Sequence, residues 1–158
     1  MNAIGEAIGE LCKVILPINE EYYLGNQNSS VAICTLSSID LLKNFANSKF
    51  LDQISIVGRL LSENKGIDSI IKYVNQNPQV NTIIVCGKEV WGHKSGHSLF
   101  ELHKNGIDRN NRIINSKSPD PYLTVSNSEI KYFQDNVTLI NLINKNELEL
   151  ILKKSGIF

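Results

Sequence analysis

The 158-residue sequence is poor in the features that mark stapled, charged or membrane-spanning proteins. Its three cysteines, Cys12, Cys34 and Cys86, are odd in number, far apart and in no CxxC spacing. That argues against a disulfide framework or a structural zinc site and fits a reducing cytoplasm. Neither sign of charge is in excess, since 16 Lys and Arg balance 16 Asp and Glu. The basic footprint that attracts nucleic acid or an anionic membrane is therefore missing. Apolar stretches such as Ile83 to Cys86 fall far short of the roughly 20 residues a membrane helix needs. The N-terminus has no cationic stretch leading into an apolar one, as a secretory leader would. With no GxGxxG fingerprint and no Walker loop, dinucleotides and nucleoside triphosphates have no positive support.

What is present is 42% apolar residues, enough for one domain that buries roughly two-thirds of its unfolded surface. Ile4, Ile8, Leu11, Cys12 and Ile15 recur at helical spacing before Pro17, which predicts an amphipathic N-terminal helix over residues 1–18 that packs on the domain or on a second copy. Short apolar runs at 31–36, 54–57, 82–86 and, more weakly, 112–114 read as strands buried on both faces. Between and after them, Ile67/Ile70/Ile71/Val74, Leu99/Leu102 and Ile130/Phe133/Val137/Ile140 mark helices. Asn77-Pro78 and Asn105-Gly106 stop the first two. Strands alternating with helices predict an α/β, Rossmann-like domain over 19–145, with a mainly parallel sheet covered on both faces. Residues 146–158 read as a short charged helix or tail that frays.

In such a sheet the ligand lies over the carboxyl ends of the strands, so the loops after the strands are where chemistry is sought. The third loop, Gly87 to Ser98, sets Gly87, Gly92 and Gly96 around His93 and His97. Glycine at this density lets the backbone approach a bulky flat ligand. A neutral imidazole at a strand end is a good ligand for a metal such as cobalt, and its second ring nitrogen then needs an acceptor; Glu89 and Glu63 are candidates. His93 and His97 are also four residues apart, a zinc-pair spacing, but HExxH is absent and only Cys86 or His103 offers a third ligand. His103 reads as a packing or surface histidine. The second loop places Ser62 to Asn64 before a helix, where they are ordinary caps or a polar subsite. The fourth, Asn115 to Leu123, carries Pro119 and Pro121 and either walls the site or only connects.

These blocks resemble the cytoplasmic domain of the A-subunit of tetrahydromethanopterin S-methyltransferase, over about Tyr22 to Ile143. Val31 to Leu36 is similar to a VAVCTL block, Ser62 to Ile67 to TENxGI, and Asn77 to Gly87 to NPxIRFLILCG. The most specific match is Glu89 to Gly96, similar to EVxGHxxG, followed by Leu102-His-x-Asn-Gly106. Phe133-Gln134 with Leu139 to Ile143 resembles a closing FQ…VDLI helix. The resemblance implies a cobalamin or related cobamide whose cobalt is ligated by His93. It implies contacts from Cys34, Thr35 and Leu36 after the first strand, and from Gly58, Leu61, Ser62, Glu63, Asn64, Gly66 and Ile67 after the second. After the third strand it implies Gly87, Glu89, Val90, Gly92, His93, Gly96 and His97, and in the fourth loop Ser116, Pro121 and Tyr122. The family has glutamine where His97 stands, so His97 is not carried over as the ligand and remains a competing imidazole. Of the DxHxxG corrinoid signature only HxxG is met, with Trp91 in place of the aspartate.

The implied activity is methyl transfer from methyltetrahydromethanopterin to coenzyme M or a related acceptor, with this chain carrying the corrinoid and other subunits or enzymes binding donor and acceptor. Family members add a C-terminal membrane helix, so a chain ending at Phe158 is expected to be a soluble relative or an excised domain. Two rival readings are a cobamide-storage module without turnover and a small zinc enzyme built on His93 and His97.

Overall fold

Two short strands set up the architecture, because each sends alternate side chains into a different core. In Val31–Cys34 and Thr82–Gly87, Ala32, Cys34, Ile83 and Val85 enter one apolar cluster, while Ile33, Ile84 and Cys86 enter another. A strand with no solvent-facing side needs helices on both faces, and the fold supplies them. The structure, a computed structural model, describes residues 22–157, so the expected helix over 1–18 lies outside the described residues.

In chain order the elements are β1 (Tyr22–Leu24), β2 (Val31–Cys34), α1 (Ile39–Ala46), a 3-10 turn (Lys49–Gln53), β3 (Ile56–Gly58), α2 (Lys65–Gln76), β4 (Thr82–Gly87), α3 (Ser95–Asn105), α4 (Asn127–Asn136), β5 (Thr138–Ile143) and α5 (Leu148–Ser155). The sheet order is β1-β3-β2-β4-β5, parallel except for the antiparallel edge strand β1. Helices α2, α3 and α4 cover the first cluster, with Ile67, Leu99 and Phe133 fully buried. Helices α1 and α5 cover the second, through Leu42, Phe45, Ile151 and Leu152. The expected α/β class and mainly parallel sheet are what the structure has.

Three details differ from the sequence reading. The apolar spacing Ile130, Phe133, Val137, Ile140 does not belong to one helix. Helix α4 opens with a capping box between Ser126 and Glu129 and ends at Asn136, and the β-branched run that follows pairs with β4 from Thr82↔Thr138 to Gly87↔Ile143. Residues 112–114 form no ladder. Arg112 and Ile113 make single bridges to Tyr122 and Ile107, and Ile113 is buried as a plug in the first cluster. The end of the chain is a docked helix, since Ile151 and Leu152 are completely buried.

The connection from β2 runs through α1 to β3, on one side of β2, while β4 lies on the other side and continues toward β5. The loops after β2 and β4 therefore part in opposite directions and open a crevice at the carboxyl ends of the strands. The loop bearing His93 leaves from this point.

Candidate functional site

Gly87 closes β4 with φ +77°, and a Cβ there would lie 2.4 Å from the Thr35 carbonyl, so only glycine lets the two strand ends pack this closely. Its N–H donates to Lys145 O and its carbonyl accepts from Asn144 N–H, which seats the loop after β5 beside it. From this base the chain runs through Trp91, which is 93% exposed, and Gly92 to His93. Lys94, in the left-handed region at φ 49°, turns the backbone into α3.

Glu89 organises the loop. Its carboxylate accepts from the N–H groups of Val90, Gly96 and His97, capping the open amides of α3. Gly96 makes this close seat possible: a Cβ there would stand 2.9 Å from Glu89 Oε2 and 3.1 Å from both Leu36 and Ile143. Ser95 Oγ donates to Leu60 O at 2.8 Å and ties the start of α3 to the loop after β3.

That loop carries Glu63, the most buried carboxylate at the strand ends, with a side-chain exposure of 1%. Its Oε2 lies 2.9 Å from His93 Nδ1, and its Oε1 accepts from Asp120 N–H at 3.0 Å. Of the two acceptors the sequence offered, Glu63 takes the imidazole and Glu89 takes the helix. A buried carboxylate on Nδ1 favours the tautomer that carries its proton there and leaves Nε2 with a lone pair. The His93 side chain is 54% exposed and its Nε2 has no partner among the described residues. A nitrogen donor is thus held out over the crevice by an orienting group, a donor set that suits a borderline transition metal such as cobalt.

The fourth loop is a wall fixed by buried polar groups. Ser98 Oγ on α3 bonds with the hydroxyls of Ser116 and Ser118, and Asn64 donates to the Asp120 carboxylate. Asp68 accepts from Thr124 and Val125 N–H. Most of the buried polar and charged side chains among the described residues, including Glu63, Asp68, Ser95, Ser98, Ser116 and Ser118, lie along this seam. They fix a stretch, residues 107–126, that has no helix or strand of its own.

Other expected site residues fall into distinct roles. His97 Nε2 accepts from Lys117 N–H at 3.2 Å, so it braces the fourth loop. His103 packs edge-on against Phe133 and contacts Val137 O. Cys86 is buried with its thiol toward Cys34 O. Among the described residues no three His, Cys, Asp or Glu side chains converge on a metal-sized point, so the zinc grouping of His93, His97 and Cys86 or His103 is not assembled. Ser62 caps the Gly66 amide. Ile67, Leu36 and Thr35 are buried in full and support the site from below. Gly58 ends β3, Leu61 and Val90 are half-buried, and Pro121 is buried beside the half-exposed Tyr122. The thiol of Cys34 is pushed up from its ordinary 9.0 to about 12, chiefly by burial, and that of Cys86 is raised for the same reason. Neither is a nucleophile near neutral pH. Sequence reasoning missed Ser95, Ser98, Ser118 and the Asp120 amide; only the turn chemistry of Ser-Pro-Asp-Pro hinted at the last.

A separate cavity of about 320 Å³ lies between α2 and strands β1, β3 and β2, under Ile70 and Tyr73 and beside Gly58, Arg59 and Gly66. It takes in Cys34, Gly58 and Gly66 of the expected contacts but not His93.

Fold and site together define a class, a Rossmann-like α/β domain that presents a carboxylate-tethered imidazole at the switch point of its sheet. The model of the family formed by the A-subunit of tetrahydromethanopterin S-methyltransferase matches residues 13–156, and the chain belongs to that family. It is 34% identical over 137 residues to the A-subunit of the putative methyltransferase Mtx of Methanosarcina barkeri, covering 86% of this chain and 66% of that protein. It is 36% identical over 138 residues to the protein of the same name in Methanosarcina acetivorans, covering 87% of this chain and 66% of that protein. To the first A-subunit of tetrahydromethanopterin S-methyltransferase of Methanothermobacter marburgensis it is 34% identical over 140 residues, 87% of this chain and 56% of that relative. The chain thus spans between about half and two-thirds of the length of these relatives. No helix among the described residues is long and apolar enough to cross a membrane.

Proposed function

We propose that this domain would hold a corrinoid at the carboxyl ends of its strands, with His93 Nε2 as the nitrogen that would bind its cobalt, and would serve as the carrier in methyl transfer from methyltetrahydromethanopterin to coenzyme M or a related acceptor. The observation that carries the reading is the pair Glu63–His93: a carboxylate buried at 1% exposure turns one oxygen to the inner nitrogen of a histidine whose outer nitrogen has no partner among the described residues. That is the arrangement by which proteins orient a metal-binding imidazole and raise its basicity. A bound corrinoid would supply a metal nucleophile and leaving group, splitting one displacement into two easier ones.

The chain's own residues do the rest. Glu63 fixes the tautomer of His93 through Oε2 and, through Oε1, holds the Asp120 amide of the fourth loop. Glu89, accepting from the amides at the start of α3, holds the His93 loop in place. The thiols of Cys34 and Cys86 stay protonated and do not compete as acceptors. Donor and acceptor sites belong to partner subunits or enzymes, in keeping with relatives named as subunits. The experiment is reconstitution of the protein with hydroxocobalamin and gel filtration. Corrinoid that co-elutes with wild type and is lost or spectrally altered in His93→Ala supports the reading; wild type that elutes colourless overturns it.

A further inference from the structure

Among the described residues one strip of the sheet has no helix over it. Helix α2 packs with Ala32 of β2 and Ile56 of β3, whereas the edge strand β1 belongs to neither apolar cluster. Tyr22 and Leu24, 60% and 55% exposed, stand two residues apart and so on one side of that strand. Both border the cavity beside α2, which has Ile70 and Tyr73 on its other flank. Arg59 borders it too, donating from Nη2 to Ser37 O at 3.3 Å, with Nε buried and without a hydrogen-bond partner. Neither Arg59 nor the exposed Lys65 and Lys72 of α2 forms a salt bridge among the described residues. The chain is neutral as a whole, yet residues 1–21 hold Glu6, Glu10, Glu20 and Glu21 against Lys13 alone, so the remainder carries the opposite excess.

We propose that this bare strip is the docking surface of the chain's own residues 3–16, whose apolar stripe Ile4, Ile8, Leu11, Cys12 and Ile15 seats on Tyr22, Leu24 and Ile70 and closes the cavity. Thirteen or so residues at helical spacing span about 20 Å, enough to run along β1. Pro17 ends the stripe and leaves four residues to turn back to Tyr22, so the segment is held next to its seat at high effective concentration. Charge favours the same partner: β1 pairs Tyr22 with Gly58, and continuing that antiparallel register by one residue sets Glu21 opposite Arg59. The consequence is a lid. Cys34, Gly58 and Gly66 on the cavity wall are among the expected cofactor contacts, so the seated segment and a corrinoid exclude each other. The segment covers apolar surface in the empty domain and gives way on loading, and this second half rests on the carrier reading.

Cys12 reports on the seat directly, because it lies in the stripe while Cys34 and Cys86 are buried. The rate of its alkylation by iodoacetamide is followed by peptide mapping in the full chain, in Ile8→Asp, which puts a charge into the stripe, and in Leu24→Ser, which trims the seat at an exposed position. Docking predicts that Cys12 reacts about tenfold more slowly in wild type than in either variant. Cys86, fully buried on the other face of the sheet, stays unreacted throughout as the sign that the fold is intact. Equal rates in all three proteins overturn the docking. Shielding that fades on dilution places the stripe against a second copy and overturns it as well. Saturation with methylcobalamin, whose methyl group leaves no cobalt position open to a thiol, then raises the wild-type rate to that of Ile8→Asp. A rate unchanged by bound corrinoid overturns the lid. Protein that binds no corrinoid sinks the carrier reading, while the comparison of the three proteins still decides the docking.

Discussion

Replacing Glu63 by glutamine changes one atom and reverses the chemistry of the site. In the wild type the carboxylate accepts from His93 Nδ1 at 2.9 Å and from Asp120 N–H at 3.0 Å. In Glu63→Gln the side chain keeps one oxygen, which stays with the Asp120 amide because a backbone N–H can only donate. The new NH2 faces His93 and also can only donate, so Nδ1 becomes the acceptor and the proton moves to Nε2. The number of hydrogen bonds is unchanged and only charge assistance is lost, so the fold loses about 1 kcal/mol. Metal ligation is hit harder, since the nitrogen that faces the crevice now carries hydrogen; changing such an orienting partner weakens metal affinity by about tenfold to a hundredfold. Two assays separate these effects: urea unfolding for stability, and titration with hydroxocobalamin for affinity. Nitrogen-15 NMR of the apo protein adds a readout independent of any ligand, with His93 Nε2 changing from an unprotonated to a protonated shift. An unchanged tautomer and an unchanged affinity in Glu63→Gln would refute the claim that Glu63 sets the imidazole.

The same contacts decide the outcome of other perturbations. Gly92→Ala meets no atom within 4 Å and is opposed only by its φ of +80°, a cost of about 1 kcal/mol, whereas Gly87→Ala adds a collision with the Thr35 carbonyl at 2.4 Å and costs at least twice as much in urea unfolding. His97→Ala removes one acceptor from the Lys117 amide, lowers stability by about 1 kcal/mol or less and leaves the spectrum of bound corrinoid unchanged. Cys34 and Cys86 resist alkylation at pH 8 in the folded protein, as peptide mapping after iodoacetamide will show, and react fully in denaturant. Because the unfolded Cys34 thiol ionises near 9.0 and the folded one near 12, unfolding releases a proton between those values, and this contribution to stability falls as the pH rises from about 9 toward 12, which urea unfolding across that range will register.

Much of this was readable from the chain because local chemistry and tertiary need agree. The runs ending at Cys34, Gly58 and Gly87 are buried strands, and His93 stands in the loop at the switch point, where glycines and a strand end had placed it. The choice between Glu63 and Glu89 was not readable, since it depends on which carboxylate the start of α3 takes up across seven residues of loop. Residues 130–143 misled because Ile130, Phe133, Val137 and Ile140 fit a helical period while belonging to two elements; the β-branched run after Asn136 is decided by pairing with β4, which no local period reports. Strand β1 is only three residues of exposed edge, and α1 has no Pro or Gly boundary to announce it. The serine hydroxyls joining α3 to the fourth loop are 18 and 20 residues apart in sequence, and only the fold brings them together.

Whether His93 holds the metal is decided by electron paramagnetic resonance of the Co(II) form of the reconstituted protein, prepared once with natural-abundance histidine and once with nitrogen-15 histidine. Axial ligation by His93 predicts a superhyperfine triplet that becomes a doublet on labelling and disappears in His93→Ala. A triplet that survives histidine labelling would place the cofactor's own base on the metal and contradict ligation by the protein.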